Sequence, residues 1–245
     1  MAARPKGAVV YEGPSAITGA MIAAVITGLA RPSRNGKTGP MAQLFIFRQD
    51  MHPLEAIRTG LDDAICGDCK LRGVLGKKRP CYVEVGKAPS KVWHAWARGS
   101  YPVLTLGELA EALLNAQVRF GAYGEPVAAP LPIVSGIARL ATDWSGYTHR
   151  WPWLTGKVRE RWQGLVMASV DTVAEQIEAQ RQGWRTFRGK HRGSPRMPSE
   201  KPCPAGPKAS QVQCFSCPIK CNGGTGPNVV IDVHGNGAGH FPQEV

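Results

Sequence analysis

Seven cysteines are the side chains in this sequence best suited to chemistry, and they fall into two groups. The first group has the spacing C-x2-C-x11-C and comprises Cys66, Cys69 and Cys81. Two thiols separated by two residues can turn toward one metal ion, and Gly67 eases the backbone into that turn. Three thiols leave a four-coordinate metal one ligand short, and His52, His94, a substrate or a cofactor could complete the set. The first group therefore predicts a metal site with an open position.

The second group lies further along the chain, has the spacing C-x10-C-x2-C-x3-C, and comprises Cys203, Cys214, Cys217 and Cys221. Four thiolates are enough for a closed tetrahedral zinc site or for a four-iron cluster. Prolines and glycines around these cysteines disfavour a long regular element, so a metal is the simplest agent that would order the segment. Zinc and iron–sulfur clusters use similar thiolate sets, and the sequence leaves both open. A further topology, in which the first group combines with part of the second, is also open.

The cysteine count also bears on the compartment. An odd number of cysteines argues against a fully paired disulfide framework, because one thiol would be left over. The apolar run at residues 16–30 superficially suggests a signal peptide. However, the segment 11–15 interrupts the apolar character, no good A-x-A site follows, and an uninterrupted apolar span of about 20 residues is absent. We expect a cytoplasmic protein without a membrane partner, whose thiolates hold metal or act in catalysis.

The net charge of the chain points to its partners. Thirty Lys and Arg residues against eighteen Asp and Glu residues give a net charge of +12. A surplus of this size favours a polyanion, so we expect nucleic acid or a nucleotide as the ligand or substrate. One of the densest basic stretches lies at residues 185–196. The alternative is a soluble enzyme that happens to be basic, and the sequence indicates no oligomeric state.

Short apolar runs alternate with helix-compatible segments along most of the chain. Strands are predicted at residues 22–27, 43–48, 82–85, 118–122, 146–149, 165–170, 184–188 and 228–233, and helices at residues 53–59, 89–98 and 172–182. This rhythm indicates an α/β fold with a parallel sheet, and about eight strands suggest a closed or incomplete (β/α) barrel. An open doubly wound sheet is the alternative. We assign residues 1–188 to the barrel-like domain and residues 189–245 to a Gly/Pro-rich linker, a Cys-rich C-terminal metal-binding extension and a final strand.

Polar side chains just past the carboxyl ends of parallel strands face the pocket in either architecture. The residues at such positions are Arg48, Asp50, Tyr123, Glu125, His149, Asp171, Arg188 and His234. Acid–base or substrate-positioning roles, as catalytic candidates, are assigned to Glu125, His149 and Asp171, and cofactor-binding roles to Arg48, Tyr123 and Arg188. The alternative for each is a turn former or a helix cap, and Asp171 before Thr172 is one such cap position.

A series of short motifs spans nearly the whole chain. In order, they are YEGPS at residues 11–15, KTGPM at 37–41, CGDC at 66–69, CYV at 81–83, GAYGEP at 121–126, GYTH at 146–149, SVD at 169–171, GWRTFR at 183–188 and the cysteines from 214 to 221. This series resembles a family of uncharacterised bacteriophage proteins. The resemblance implies expression in the host cell cytoplasm and no particular activity.

A looser similarity connects the chain with radical S-adenosylmethionine enzymes, which use an α/β barrel and a four-iron cluster held by three cysteines near its mouth. The chain has C-x2-C-x11-C where those enzymes have C-x3-C-x2-C, and it lacks a clear glycine-rich motif for S-adenosylmethionine. The similarity implies a four-iron cluster at the first cysteine group, with S-adenosylmethionine as a further cofactor.

The leading interpretation is a phage-type iron–sulfur enzyme that acts on nucleic acid or nucleotides. In this interpretation the first cysteine group holds the reactive cluster, and the second group holds another metal. The alternatives are a non-catalytic nucleic-acid-binding protein in which zinc only stabilises loops, and a host-directed interaction protein.

Overall fold

The computed structural model describes residues 4–73, 78–206 and 212–241. Their strands form two five-stranded sheets. The first sheet contains, in spatial order, β1 (Gly7–Pro14), β2 (Met21–Thr27), β3 (Ala42–Arg48), β4 (Gln117–Tyr123) and β5 (Asp143–Ser145). The second sheet has the order β6-β7-β8-β10-β9, formed by β6 (Tyr147–Thr148), β7 (Met167–Val170), β8 (Thr186–Lys190), β10 (Asn228–Asp232) and β9 (Glu200–Pro202).

The sheets are mostly parallel. Strands β1, β2 and β3 are antiparallel to one another, whereas β3, β4 and β5 run parallel. The second sheet is parallel throughout. Gly146 alone separates β5 from β6, and a Cβ there would lie 2.9 Å from Val166 Cγ1 and 3.0 Å from Phe120 Cβ. Only glycine therefore lets the chain pass this closely from one sheet into the other.

The predicted α/β class is confirmed, and the strand pairing is mostly parallel as expected. The strands form two sheets instead of one, and the described residues show no closed barrel, so the closed form of the predicted barrel is wrong. The first sheet is also not wholly parallel, because β1 and β2 form an antiparallel hairpin next to β3. Tight turns can join antiparallel strands, whereas parallel strands need long crossover connections, and the six residues between β1 and β2 permit only the former.

The helices connect the strands, and several have clear termination signals. They are α1 (Pro53–Thr59), α2 (Asp63–Cys66), α3 (Ala88–Ala97), α4 (Leu106–Leu113), α5 (Leu131–Leu140), α6 (Gly156–Gln163) and α7 (Val173–Arg181). Helix α1 begins with Pro53 and ends at Gly60, which has a left-handed φ of 74°. Helix α7 is capped by the Thr172 hydroxyl, which accepts from the Glu175 N–H. Asp171 is therefore free of the capping role.

Most of the predicted elements are present within two residues of their predicted bounds. The exception is residues 82–85, which form no strand. The apolar run at 16–30 contains β2, whose central residues Ala23 to Ile26 are fully buried in the core. In the part of the chain that the structure describes, no helix has both the length and the apolar character needed to cross a membrane.

Candidate metal centre and acid–base cluster

Three of the sequence-selected residues meet at the carboxyl edge of the parallel strands. Glu125 lies two residues beyond β4, His149 follows β6, and Asp171 follows β7. Glu125 Oε1 accepts from the His149 backbone N–H at 2.9 Å and lies 3.2 Å from His149 Nδ1. On its other side, His149 Nε2 lies 3.7 Å from Asp171 Oδ1. The imidazole is therefore held between two buried carboxylates.

The first cysteine group is brought to the same edge by backbone hydrogen bonds. Helix α2 ends at Cys66, and the Glu125 N–H donates to the Ile65 carbonyl at 2.6 Å. The Cys69 N–H donates back to the Cys66 carbonyl at 3.2 Å, which forms the turn between the two thiols. The Cys81 N–H donates to the Leu71 carbonyl at 2.9 Å. The third cysteine thereby returns to the segment that carries the other two.

Two ion pairs fasten the C-x2-C turn to the second sheet. Asp68, between the two cysteines, pairs with Arg150 at 2.7 Å, and Lys70 pairs with Glu175 in the first turn of α7. Gly67 lies in this turn with φ 55° and ψ −135°, and a Cβ there would lie 2.7 Å from Arg150 Cδ. The glycine is thus required both for the backbone conformation and for the close approach of Arg150.

The pKa shifts at this site reflect how close its groups lie. Burial raises the pKa of the Cys66 thiol well above its ordinary value, and the charges of Cys69 and Cys81 raise it further. Burial also raises the pKa of Cys81, against the opposing charge of Arg79. Burial alone would lower the pKa of His149, but the charge of Cys69 and contacts with Asp171, Cys69 and Glu125 raise it well above its ordinary value. The three thiols and the imidazole therefore form one electrostatic unit.

Several buried polar atoms around this unit have no hydrogen-bond partner among the described residues. They are Tyr123 Oη, Glu125 Oε2 and His149 Nε2. Tyr123 is the last residue of β4, and burial together with the nearby Cys66 charge raises the pKa of its hydroxyl. His149 Nε2 still faces the Asp171 carboxylate at 3.7 Å, whereas Tyr123 Oη and Glu125 Oε2 are left without a partner in the described part of the chain. Buried polar groups are nearly always paired, so these two atoms are the kind of groups that a bound ligand satisfies.

The side chains at this site are of the types that bind metal ions, but they do not yet lie close enough together to bind one. Three thiols and one imidazole are ligands that zinc and iron–sulfur centres accept. Within residues 4–73, 78–206 and 212–241, no three His, Cys, Asp or Glu side chains already lie close enough together to hold an ion. The thiols would therefore have to turn toward one another upon binding.

The remaining sequence-selected residues lie outside this cluster. Arg48, at the end of β3, pairs with Asp50 at 2.7 Å. Arg188 is fully buried and pairs with Glu200 of β9 at 2.8 Å. His52 and His94, considered as the fourth ligand of the first group, stack against each other with ring centroids 4.9 Å apart, next to Trp93. His149, which the sequence suggested as a base or ligand, is the histidine that lies beside Cys69.

The second cysteine group lies beside the first residues of β4 and β5 and just past the end of β9. All four of its thiols line one cavity of about 20 Å³, together with Gln117 and Asp143, the first residues of β4 and β5. Cys203 directly follows β9, and the Cys214 N–H donates to the Lys37 carbonyl at 2.9 Å. The lining of this cavity contains none of the three cysteines of the first group.

Sequence reasoning did not select Arg119, Tyr147 or Lys37, which lie between or beside the two groups. The Arg119 guanidinium lies 4.4 Å from the centroid of the Tyr147 ring and donates to Tyr82 Oη at 3.2 Å. The Arg119 side chain is charged, yet it is buried within the otherwise mostly apolar strand β4. An arginine inside an otherwise apolar strand was the available signal, because buried arginines are rare without a partner.

Comparisons with protein-family models, with curated proteins and with solved structures found no match for this chain. Its chemistry must therefore be inferred from its own residues.

Proposed function

We propose that the protein is an iron–sulfur enzyme whose reaction centre lies at the carboxyl edge of the parallel strands. The first cysteine group would hold the cluster, and Glu125, His149 and Asp171 would handle protons and position the substrate. Support comes from one juxtaposition: three thiols surround the same edge as an imidazole held between two carboxylates. A second line of support is the set of unpaired buried polar atoms at that site.

An iron–sulfur cluster with three cysteine ligands supplies one-electron chemistry at an open iron position. The protein's own residues supply the rest. His149 lies against Glu125 through Nδ1 and faces Asp171 through Nε2, so it is oriented to move a proton at Nε2. Tyr123 Oη, buried and without a partner among the described residues, is positioned to donate a hydrogen bond to a bound cofactor. S-adenosylmethionine is the cofactor that the radical-enzyme similarity adds.

The substrate class proposed is nucleic acid or a nucleotide, because the chain carries a net charge of +12. The same charge favours a second candidate, a non-catalytic protein in which zinc fastens loops and surface cations contact phosphate. The two candidates differ in the metal at the first cysteine group, which is iron in the enzyme and zinc in the binder. They also differ in whether the protein's activity depends on Glu125, His149 and Asp171.

Purification without oxygen, followed by iron, sulfide and zinc analysis, separates the candidates. We expect brown protein with acid-labile sulfide, and loss of that iron in Cys69→Ser. The matched control is Cys217→Ser in the second group, which should keep the iron of the first group. Colourless protein with zinc and no sulfide at the first group would overturn the enzyme proposal and favour the zinc-stabilised binder.

A second experiment tests the acid–base cluster. Glu125→Gln keeps the shape of the side chain but removes the charge next to His149. We expect cluster content to stay near that of the unaltered protein, while reductive cleavage of S-adenosylmethionine or turnover of a nucleotide substrate falls by about 100-fold or more, as for loss of a general acid or base. Nucleic-acid affinity that is unchanged, with no turnover in either protein, would point to the binder instead.

A further inference from the structure

The second cysteine group lies next to two cations that lack a carboxylate. Arg119 is 7% exposed, and its guanidinium contacts the Tyr82 hydroxyl and the face of the Tyr147 ring. Lys37 is partly buried, and its ammonium lies 2.8 Å from His234 Nε2. Among the residues that the structure describes, no carboxylate forms an ion pair with either cation. A buried cation without a counter-charge costs several kcal/mol, on the order of the penalty for an unpaired buried ion.

The thiols of the second group are the nearby groups that can carry the missing negative charge. The Lys37 carbonyl accepts from the Cys214 N–H at 2.9 Å, so Lys37 lies directly beside the group. The Tyr147 ring, whose centroid is 4.4 Å from the Arg119 guanidinium, lines the same cavity as the four thiols. Lys37 is thus next to Cys214, and only the Tyr147 ring separates Arg119 from the cavity.

The cavity that these thiols line has the size of a single ion. Its volume of about 20 Å³ is slightly more than the roughly 10–15 Å³ that one water molecule needs. Four thiolates around one divalent ion leave roughly two net negative charges, which matches the two unpaired cations. A bound ion thus accounts for both the buried arginine and the lysine beside the four-thiol cavity, whereas no carboxylate in the described part of the chain pairs with either of them.

We propose that Cys203, Cys214, Cys217 and Cys221 hold one divalent metal ion of the zinc class, and that Arg119 and Lys37 balance the charge of the four thiolates. The thiols rotate inward as the ion binds and lose their protons to solvent. The site is separate from the proposed reaction centre, because its cavity is lined by the first residues of β4 and β5, whereas the acid–base cluster follows the last residues of β4, β6 and β7. Its ion joins Cys203, next to the edge strand β9, to the segment that contains Cys214–Ser216 and packs beneath β5.

Three of the four thiols, Cys214, Cys217 and Cys221, belong to one segment that a bound ion would stabilise. Apart from one short turn at Cys214–Ser216, it has no regular structure. It is fastened at one end by the Cys214 N–H on Lys37 and at the other by the Gly146 N–H, which donates to the Cys221 carbonyl at 2.9 Å. A tetrahedral ion between these two points would fix the whole segment against the first residues of β4 and β5 and against the end of β9.

Metal analysis of the full chain tests the site. We expect one zinc per chain that persists in Cys69→Ser and is lost in Cys217→Ser, and cobalt substitution should give the visible absorption of a four-thiolate site in Cys69→Ser. Because the two groups are probed by different substitutions, failure here is distinguishable from failure of the proposed function. Iron with labile sulfide lost from Cys217→Ser, or no metal lost, would overturn the proposal.

The charge-balancing role of Arg119 and Lys37 must be tested by a measurement that a change in packing alone would not affect. We expect Arg119→Met and Lys37→Met each to weaken zinc affinity by about 10–100-fold in chelator competition, as other outer-sphere partners do. Arg119→Lys, which keeps the charge, should weaken it less. If Arg119→Met fails to fold, the partly buried Lys37 still provides the test. Unchanged zinc affinity in the folded Lys37→Met protein would overturn the balancing role.

Discussion

Arg188 and Glu200 form a single buried pair that joins β8 to β9, two strands separated in the sheet by β10. Both side chains are fully buried, and Arg188 Nε and Nη2 lie 2.8 and 2.9 Å from the two carboxylate oxygens. Replacing Glu200 by Gln leaves a buried guanidinium facing a neutral amide. We expect a loss of about 3–5 kcal/mol in the free energy of unfolding, measured by urea denaturation.

The double variant Arg188→Met with Glu200→Met is the control for this prediction. It removes both charges and fills similar volume, so it should recover much of the lost stability. Equal stability of Glu200→Gln and the unaltered protein would show that the pair contributes little. Arg188, selected from its position at the end of a predicted strand, therefore has its guanidinium engaged by Glu200.

Gly67 is the residue on which the C-x2-C turn depends. Its φ of 55° with ψ of −135° is a conformation that other residues adopt only at a cost of roughly 1–3 kcal/mol. A Cβ would also lie 2.7 Å from Arg150 Cδ and disturb the ion pair with Asp68. We expect Gly67→Ala to lower the metal content of the first cysteine group, measured per chain, without changing that of the second.

The matched control is Gly86→Ala, because a Cβ at Gly86 meets no atom within 4 Å and the backbone there has no positive φ. It should leave the metal content of both groups unchanged. Full metal occupancy in Gly67→Ala would mean that the turn tolerates a side chain and that the Arg150 contact is dispensable.

At the scale of elements, Gly223 fixes how the cysteine-bearing segment packs against α6. A Cβ at Gly223 would lie 2.0 Å from the Gln163 carbonyl oxygen and 2.5 Å from the Leu165 nitrogen. These are backbone atoms, so the segment itself must move. We expect Gly223→Ala to cost about 1–3 kcal/mol, as overpacking does, and to lower Tm in a thermal melt.

Gly224 offers a neighbouring control for the same substitution. A Cβ at Gly224 would have Asn222 Oδ1 as its nearest atom, at 3.2 Å, and that oxygen belongs to a side chain that can turn away. Gly224→Ala should therefore change the free energy of unfolding by no more than about 0.5 kcal/mol. Similar losses in the two variants would show that the segment is loosely packed against α6.

The sequence predicted elements well where local pattern and burial agree. Strands β2, β3 and β4 are apolar runs in the core, and α1 starts at a proline and ends at a glycine. Helix α4 was missed although Thr105 and Glu108 form a capping box, a signal that the sequence contains. The strand predicted at residues 82–85 alternates correctly but has no neighbouring strand to pair with among the described residues. Pairing is a tertiary property that a single segment cannot show.

The composition of the candidate site was predictable, but its assembly was not. Positions after strands selected Glu125, His149 and Asp171, which do lie together. Joining them to Cys69 depends on ion pairs between residues far apart in sequence, such as Asp68 with Arg150. Such pairs cannot be recognised in the sequence, because each partner alone resembles an ordinary charged surface residue.

At the scale of the whole molecule, the two cysteine groups lie at different places along the strands. The first group lies beside the acid–base cluster, past the last residues of β4, β6 and β7, where α/β folds bind ligands. The second group lies beside the first residues of β4 and β5 and just past the end of edge strand β9. This placement favours chemistry at the first group and a structural role for the second.

Only some of the Lys and Arg residues that give the protein its net positive charge are available to contact a ligand. In the basic stretch 185–196, Arg185 donates to the carbonyls of Asn222 and Pro227, and Arg188 is buried. These two are therefore committed to the protein's own structure. By contrast, Lys157 and Arg161 on α6 are exposed and form no ion pair among the described residues. If the protein binds nucleic acid, surface cations of this second kind must contact the phosphates.

Binding to single-stranded DNA across a salt series tests that expectation. Each phosphate neutralised contributes about −0.7 to the slope of log affinity against log salt, because bound counterions are released. We expect a steep fall in affinity with salt, and a slope that is shallower by about 1.4 in the double variant Lys157→Gln with Arg161→Gln, which removes two contacts. Lys201→Gln, another exposed cation on edge strand β9, is the single-site comparison. An affinity that does not respond to salt would exclude phosphate contacts as the use of the net charge, and the proposed reaction centre at the carboxyl edge would then be the remaining place where a nucleotide is recognised.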